Sequence, residues 1–460
     1  MKGHALRSRI LMALLPVVLI TILLLGGCLD SADNLRRRVE AEVVARRPHP
    51  EFIPTPLPYD AAAPAISPTA ARAALRPIVT AMPDVALPSQ TAVVATAAPV
   101  GLTPTPTPIL TPILPHRPTV PTITPASAQT SARPVPAGGA DLPSAAQLPG
   151  ITHIWQTWNN CGPATLAMYM SYFGQHVKQD EVGAQLRPDP DDKNVSLEEM
   201  AAYARSRGLS ATVRVNGDAA RLRRLLLAGV PVLIETWHQE RPNDGMGHYR
   251  LLVGYDDGAG QWIAYDSFDT RDLVKGQPYA GIRLPYEETE RLWAVFNRLY
   301  LVIYDADHAP AILPILNEDV DEATLWARAL AHAQAETQAR PDDPFAWFNL
   351  GSDLVALGRF PEAGQAYDRA RRIGLPWRML WYQFGPFQAY YEIGRYDEVI
   401  ALAEHTIATA RQTEEAFYWR GLAQKAKGDA NAARASWQRA IQLNPHYTDA
   451  VAALAELDTR

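Results

Sequence analysis

Cysteine is almost missing from this chain: its 460 residues contain two, Cys28 and Cys161. That excludes a disulfide framework and a Cys-rich zinc site as the source of the fold, so each cysteine needs its own explanation. An excess of charge of either sign is also small. The net charge is -6, no long basic run or basic-aromatic patch occurs, and nucleic acid is therefore not an expected partner. Scattered His and Asp residues show no metal-ligand spacing, and nothing calls for a cofactor. Long apolar runs are limited to one, at the N-terminus. What remains is too long for a single ordinary core and uneven in composition, which suits two folded domains separated from the N-terminus by a linker.

The N-terminal run explains the first cysteine. Lys2, Arg7 and Arg9 precede an apolar stretch from Ile10 to Leu25, and Leu25-Gly26-Gly27 lead into Cys28. The arrangement resembles a bacterial lipoprotein signal, with cleavage and lipidation expected at Cys28. The stretch is shorter than the roughly 20 residues of a comfortable membrane span, although an uncleaved signal anchor is the alternative. Both place the remainder outside the cytoplasm, anchored to the cell membrane. From 29 to 150 Pro, Ala and Thr dominate, as in the run from Thr103 to Pro115. Proline at that density blocks helix propagation and deletes ladder donors, so polyproline II and disorder are expected, a tether reaching at most on the order of 300 Å.

A folded domain is expected over 151–305. A helix over 162–173 carries Leu166, Tyr169, Met170 and Phe173 on one face, and a second begins at a capping box, Ser196 with Glu199. Apolar strand runs follow around residues 210, 232, 250, 262 and 300, mostly antiparallel, giving an α+β domain. From Asp321 to Arg460 the chain is helical. One offset of 70 positions aligns Trp347 with Phe417, Gly351 with Gly421, Gly358 with Gly428, Ala363 with Ala433, Tyr367 with Trp437 and Ala370 with Ala440. Half of that offset is close to the 34-residue tetratricopeptide period, and Gly394 marks a middle unit, with Val399 where a small residue is usual. The region resembles a tetratricopeptide solenoid, a surface for a protein partner.

Chemistry concentrates around Cys161. The run Gln156-Thr157-Trp158-Asn159-Asn160-Cys161-Gly162-Pro163 leads into a helix, so the sulfur meets unpaired N–H groups and the positive end of the macrodipole. Gln156 can supply an amide N–H to an oxyanion beside the backbone N–H of Cys161. The proton partner is His248, with Asp266 as its orienting carboxylate; His238 is the rival base and Asp269 the rival acid. A connecting loop of three or five residues puts position 266 opposite 250, on the face of His248, whereas two or four residues put it on the other face.

Gln156, then Cys161-Gly162-Pro163-Ala164, then His248 within Gly247-His248-Tyr249…Val253-Gly254-Tyr255, then Asp266 resemble the bacteriocin-processing, double-glycine-leader peptidases of the papain-like class. The resemblance covers about 151–305 and implies Cys161 as nucleophile, His248 as general base and acid, Asp266 as orienting carboxylate and Gln156 as oxyanion donor. It departs from members fused to a many-helix transporter, so leader processing during export is not implied. The expected activity is cleavage of a peptide or amide bond through a thioacyl intermediate on a protein or peptide substrate. The alternatives are an inactive peptidase-like adaptor and a papain-like amidase or transferase acting on cell-wall peptides.

Overall fold

The computed structural model describes residues 50–58, 142–239, 244–274, 276–319 and 321–459. The signal-like segment, Cys28 and most of the Pro-rich stretch lie outside the described residues. Among the described residues no helix is long and apolar enough to cross a membrane.

The first domain is an antiparallel sheet with helices against it. In chain order its elements are β1 (Ala145–Gln147), α1 (Cys161–Tyr172), α2 (Gln179–Leu186), α3 (Leu197–Ser206), β2 (Ser210–Arg214), α4 (Ala219–Leu227), β3 (Val232–Gln239), β4 (Gly245–Asp256), β5 (Gln261–Asp266), β6 (Ile282–Pro285), α5 (Tyr286–Trp293), β7 (Tyr300–Tyr304) and α6 (Ala309–Leu316). The strands run β2-β7-β3-β4-β5-β6, with β1 on β4. Leu233, Leu251 and Leu301 bury one face against α1 and α3, while Leu252, Ala264 and Val302 bury the other against α4 and α6. This is the period-two alternation of a sheet covered on both sides. The capping box at Ser196 and Glu199 forms as the sequence predicts.

Two expectations need correcting. Residues 142–150 are not linker: β1 pairs Ala146 with Tyr255, and Leu148 donates its N–H to the Val253 carbonyl at 2.8 Å. The edge of β4 offers backbone groups there, and the Pro-rich composition hides a strand this short. Helix α1 is not amphipathic either. Every residue from Gly162 to Ser171 is buried, because α2 and α3 cover the side opposite the sheet. Small residues at Gly162, Ala164 and Ala167 allow that close approach.

The connection between β4 and β5 is residues 257–260, four residues long, with Asp256 paired to Gln261. By parity that would have separated Asp266 from the face of His248. The register shifts between Gly254 and Leu252, so Val253 is a one-residue bulge that returns Arg250 to a position opposite Asp266. Gly254 belongs to the same device: a Cβ there would run into the Ala146 carbonyl of β1.

The second region is wholly helical: α7 (Glu322–Ala339), α8 (Pro344–Ala356), α9 (Phe360–Ile373), α10 (Gly385–Glu392), α11 (Tyr396–Ala410), α12 (Glu414–Ala426), α13 (Ala430–Leu443) and α14 (Thr448–Asp458). The pairs α8/α9 and α12/α13 repeat one contact, the ring of Tyr367 on Gly351 and the ring of Trp437 on Gly421. These rings thus fill the space inside a unit; Tyr367 also reaches Gly385 of the next. The middle unit is irregular. Its first helix, α10, has eight residues and follows a loop with a short 3-10 turn at Met379–Trp381. Val399 is fully buried where a smaller residue was expected.

The two regions share a core. Trp237 on β3 is buried with Phe296, Phe348 and Leu380. Asn297 donates to Asp353 at 2.6 Å, Asn194 donates to Glu415 at 2.7 Å, and Arg298 pairs with Glu336 at 2.7 Å.

Candidate active site

Cys161 opens α1, preceded by a loop that is pinned on several sides. Asn159 sits at φ +57°, in the left-handed region where Asn is tolerated. Gln179 of α2 accepts from the Thr157 N–H and donates to the Trp155 carbonyl, both at 2.8 Å. Buried Arg187 donates to the Asn160 side chain at 2.6 Å. These bonds fix the sulfur at the head of a buried helix, where the first turn of N–H groups has no intrahelical acceptor.

His248 and Arg250 leave β4 on one face, two residues apart, and Asp266 ends β5 on that same face. His248 Nε2 lies 2.9 Å from Asp266 Oδ1, and the imidazole also interacts with the Cys161 sulfur. Since Nε2 serves the carboxylate, Nδ1 is the nitrogen left to exchange a proton with sulfur. Asp266 is wholly buried and fully engaged: Oδ2 accepts from Arg250 Nε at 2.9 Å, and Oδ1 accepts the N–H groups of Phe268 and Asp269, each at 2.8 Å. Burial alone would lift this carboxyl, but the His248 and Arg250 cations and the bonds it accepts hold it far below the usual carboxylate range. For His248, burial pulls downward, yet the Asp266 carboxylate and the sulfur prevail and raise it to about 9. The imidazole is therefore protonated at neutral pH, the counter-ion a thiolate needs.

Gln156 is held in two ways. Its N–H donates to the Ser267 carbonyl, and its side-chain Oε1 accepts from the Ser267 hydroxyl, both at 2.9 Å. With the oxygen occupied, the amide's NH2 is the end left for a reacting group. Gln156 is thus tied to Ser267, the neighbour of Asp266 in the chain, and Asp266 to His248, whose ring interacts with Cys161.

The rivals stand beside the site in other positions. His238, at the end of β3, has its ring 5.8 Å from that of His248 and 5.6 Å from that of Phe268. Asp269 binds Arg271 Nε at 2.7 Å, and only its backbone reaches Asp266.

Four further residues shape the site. Arg250 carries a legible signal, a charge two positions from His248 on a buried strand. Ser267 follows Asp266 directly. Glu235 on β3 is buried, and burial, then the charge on the Cys161 sulfur, push its carboxyl well above the usual range. Tyr382, from the irregular loop of the helical region, packs its ring against Gly247 and lies within electrostatic reach of Cys161 and Glu235. Gly247 makes this contact possible, since a Cβ there would sit 3.1 Å from Glu235 Oε1 and 3.2 Å from the Tyr382 ring. Arg378 of the same loop pairs with Asp244 at the start of β4. No local pattern links residues this far apart in sequence.

Residues 141–299 match the family described as Peptidase_C39 like family. No curated protein matches the chain. Among solved structures, the peptidase domain of Streptococcus ComA, a bi-functional ABC transporter involved in quorum sensing, shares 16% identity at a TM-score of 0.26, covering 33% of this chain and 96% of that one. MamA from Desulfovibrio magneticus RS-1 shares 20% identity at a TM-score of 0.27, over 29% of this chain and 75% of that one. The first TPR of Spaghetti (RPAP3), bound to an HSP90 peptide, shares 18% identity at a TM-score of 0.24, over 25% and 91%.

Proposed function

We propose, from the premise that residues 141–299 are a papain-like domain of the peptidase C39-like family followed by tetratricopeptide repeats, that this chain is a cysteine peptidase that cleaves a peptide or amide bond through a thioacyl intermediate. One observation carries the reading: the His248 imidazole is bonded to Asp266 at 2.9 Å and interacts with the Cys161 sulfur. Attack by sulfur on the scissile carbonyl forms the C–S bond and places negative charge on oxygen. The Cys161 N–H and the Gln156 amide are the donors suited to that charge. The imidazolium gives its proton to the departing amine, and the C–N bond breaks. The neutral imidazole then takes a proton from water as the oxygen adds to the thioester and keeps it as the C–S bond breaks, so the acid product leaves and the imidazolium is restored beside the sulfur anion. Asp266 keeps the ring in one tautomer and orientation throughout.

The location follows from the N-terminal pattern, a lipid on Cys28 or an uncleaved anchor holding the domains outside the cytoplasm, and the repeats serve as the surface for a protein partner. The catalytic test is alkylation of the purified chain by an iodoacetamide probe: Cys161 labels rapidly near neutral pH, and His248→Ala slows it. Equal, free-thiol rates in both proteins refute the reading. Cell fractionation of Cys28→Ala tests the anchor; an unchanged membrane fraction argues against lipidation.

A further inference from the structure

Residues 50–58 lie far from the peptidase domain in sequence, yet they are seated on the helical repeats. Phe52 forms an antiparallel bridge with Pro376. The Ile53 N–H donates to the Leu375 carbonyl at 2.9 Å, and the Trp377 N–H donates to the Glu51 carbonyl at 3.3 Å. The Ile53 side chain is 2% exposed and belongs to the same core as Tyr367, Tyr390 and Leu402. Gly374, at φ +121°, lies under the Phe52 ring, where a Cβ would come within 3.2 Å.

The polar contacts are those of a built seat. The Pro54 carbonyl accepts two bonds from Arg371, at 2.9 Å from Nε and 2.7 Å from Nη2. The Leu57 N–H donates to Glu398 Oε2 at 2.9 Å. Arg371 and Glu398 are each 2% exposed and pair with one another at 2.7 Å. Without the segment, two guanidinium N–H groups at a buried position lose their acceptor, which is costly. Prolines at 54 and 56 bring no N–H that needs a partner and pre-set an extended backbone, so little entropy is lost on docking. Recognition by strand-like backbone bonds plus one buried apolar side chain is a known mode of peptide binding.

We propose that this seat is a peptide-binding site for extended, proline-bearing segments with the pattern of Phe52-Ile53-Pro54-Thr55-Pro56-Leu57, and that the chain's own segment is its resident ligand. The tether is thereby latched to the repeats at the loop that continues through Arg378 to Tyr382. The inference is independent of the chemistry at Cys161.

The test places a site-specific protease sequence within Thr103–Pro115 of the full chain and cuts it in detergent. The N-terminal fragment should co-elute with the peptidase-repeat fragment on gel filtration, and Ile53→Asp should release it. Separation of the wild-type fragments, or retention of the Ile53→Asp fragment to the same extent, overturns the proposal. A labelled peptide of residues 50–58 supplies a second readout. It should bind the cut Ile53→Asp protein at least tenfold more tightly than the same peptide bearing Asp at position 53; equal binding of the two, or none, overturns it too.

Discussion

Asp266 stands directly across the β4–β5 pair from Arg250, its Oδ2 2.9 Å from the Arg250 Nε, and the guanidinium is as buried as the carboxylate. The cation does two things for the site. It offsets the desolvation of Asp266, and it fixes the oxygen that does not serve His248, so Oδ1 faces the imidazole in one orientation. Arg250→Met removes both effects and leaves a buried carboxylate short of a partner. Loss of one member of a buried pair costs about 3 kcal/mol, so urea unfolding should show a lowered midpoint. Arg250→Lys keeps the charge without the planar fork and should recover part of that loss. Cys161 alkylation should slow in the order wild type, Lys, Met.

The protonation states give a pH prediction with a definite sign. His248 is raised from 6.5 to about 9, so its contribution to stability is full below pH 6.5 and is lost as pH rises through about 9. Asp266 is depressed, so its contribution is full above the ordinary carboxylate range and is lost as pH falls well below it. In the proposed mechanism the imidazolium protonates the leaving amine, so the alkaline limb of the pH–rate profile should fall near pH 9. In Asp266→Asn that limb should move toward 6.5. A limb that stays in place in the variant would detach His248 from Asp266 as the titrating unit.

The candidate site residues were legible because each announces itself locally: Cys161 before Gly162-Pro163, His248 inside a buried strand, Asp266 at a strand end. Their joining was not. Loop parity alone, with four residues at 257–260, argues against the pairing of His248 with Asp266, and only the Val253 bulge reverses it. A bulge depends on what approaches the strand from outside, here β1 across Gly254, and the Pro-rich composition of the surrounding chain conceals β1. The repeat boundaries were legible from small residues at a fixed offset, whereas the burial of Arg371 and Glu398 beneath residues 50–58 depends on contacts across more than 300 positions. Periodicity reports on one face of one element and carries no information about such a partner.

Gln156 and Ser267 form a pair whose effects should separate. Gln156→Ala removes a donor that acts only as charge develops on the carbonyl oxygen, and kcat should fall about 100-fold with KM little changed. Ser267→Ala leaves the amide in place but frees its oxygen from the hydroxyl bond of 2.9 Å, so the amide can turn. Its kcat should fall less, about fivefold, the scale of one neutral hydrogen bond of about 1 kcal/mol. Equal and large losses in both would mean that Gln156 acts by holding the loop and not as a donor.

Tyr382 brings the repeats up to the candidate site, its ring packed against Gly247, one residue before His248. Tyr382→Phe keeps the ring, which packs near Trp237 and Phe296, and deletes only the hydroxyl. The fold should weaken by about 1 kcal/mol. Tyr382→Ala also empties the ring's place beside Gly247 and should cost about 3 kcal/mol, in the range of buried aromatic truncations. If the ring forms part of the wall that a substrate meets, kcat/KM on a protein substrate should fall about tenfold in the Ala variant, mainly through KM, while alkylation of Cys161 by a small probe stays fast. A matching drop in both rates would mean that the loop supports the geometry of His248 instead of contacting substrate. Steady-state kinetics measured beside probe labelling on the same preparation distinguish the two.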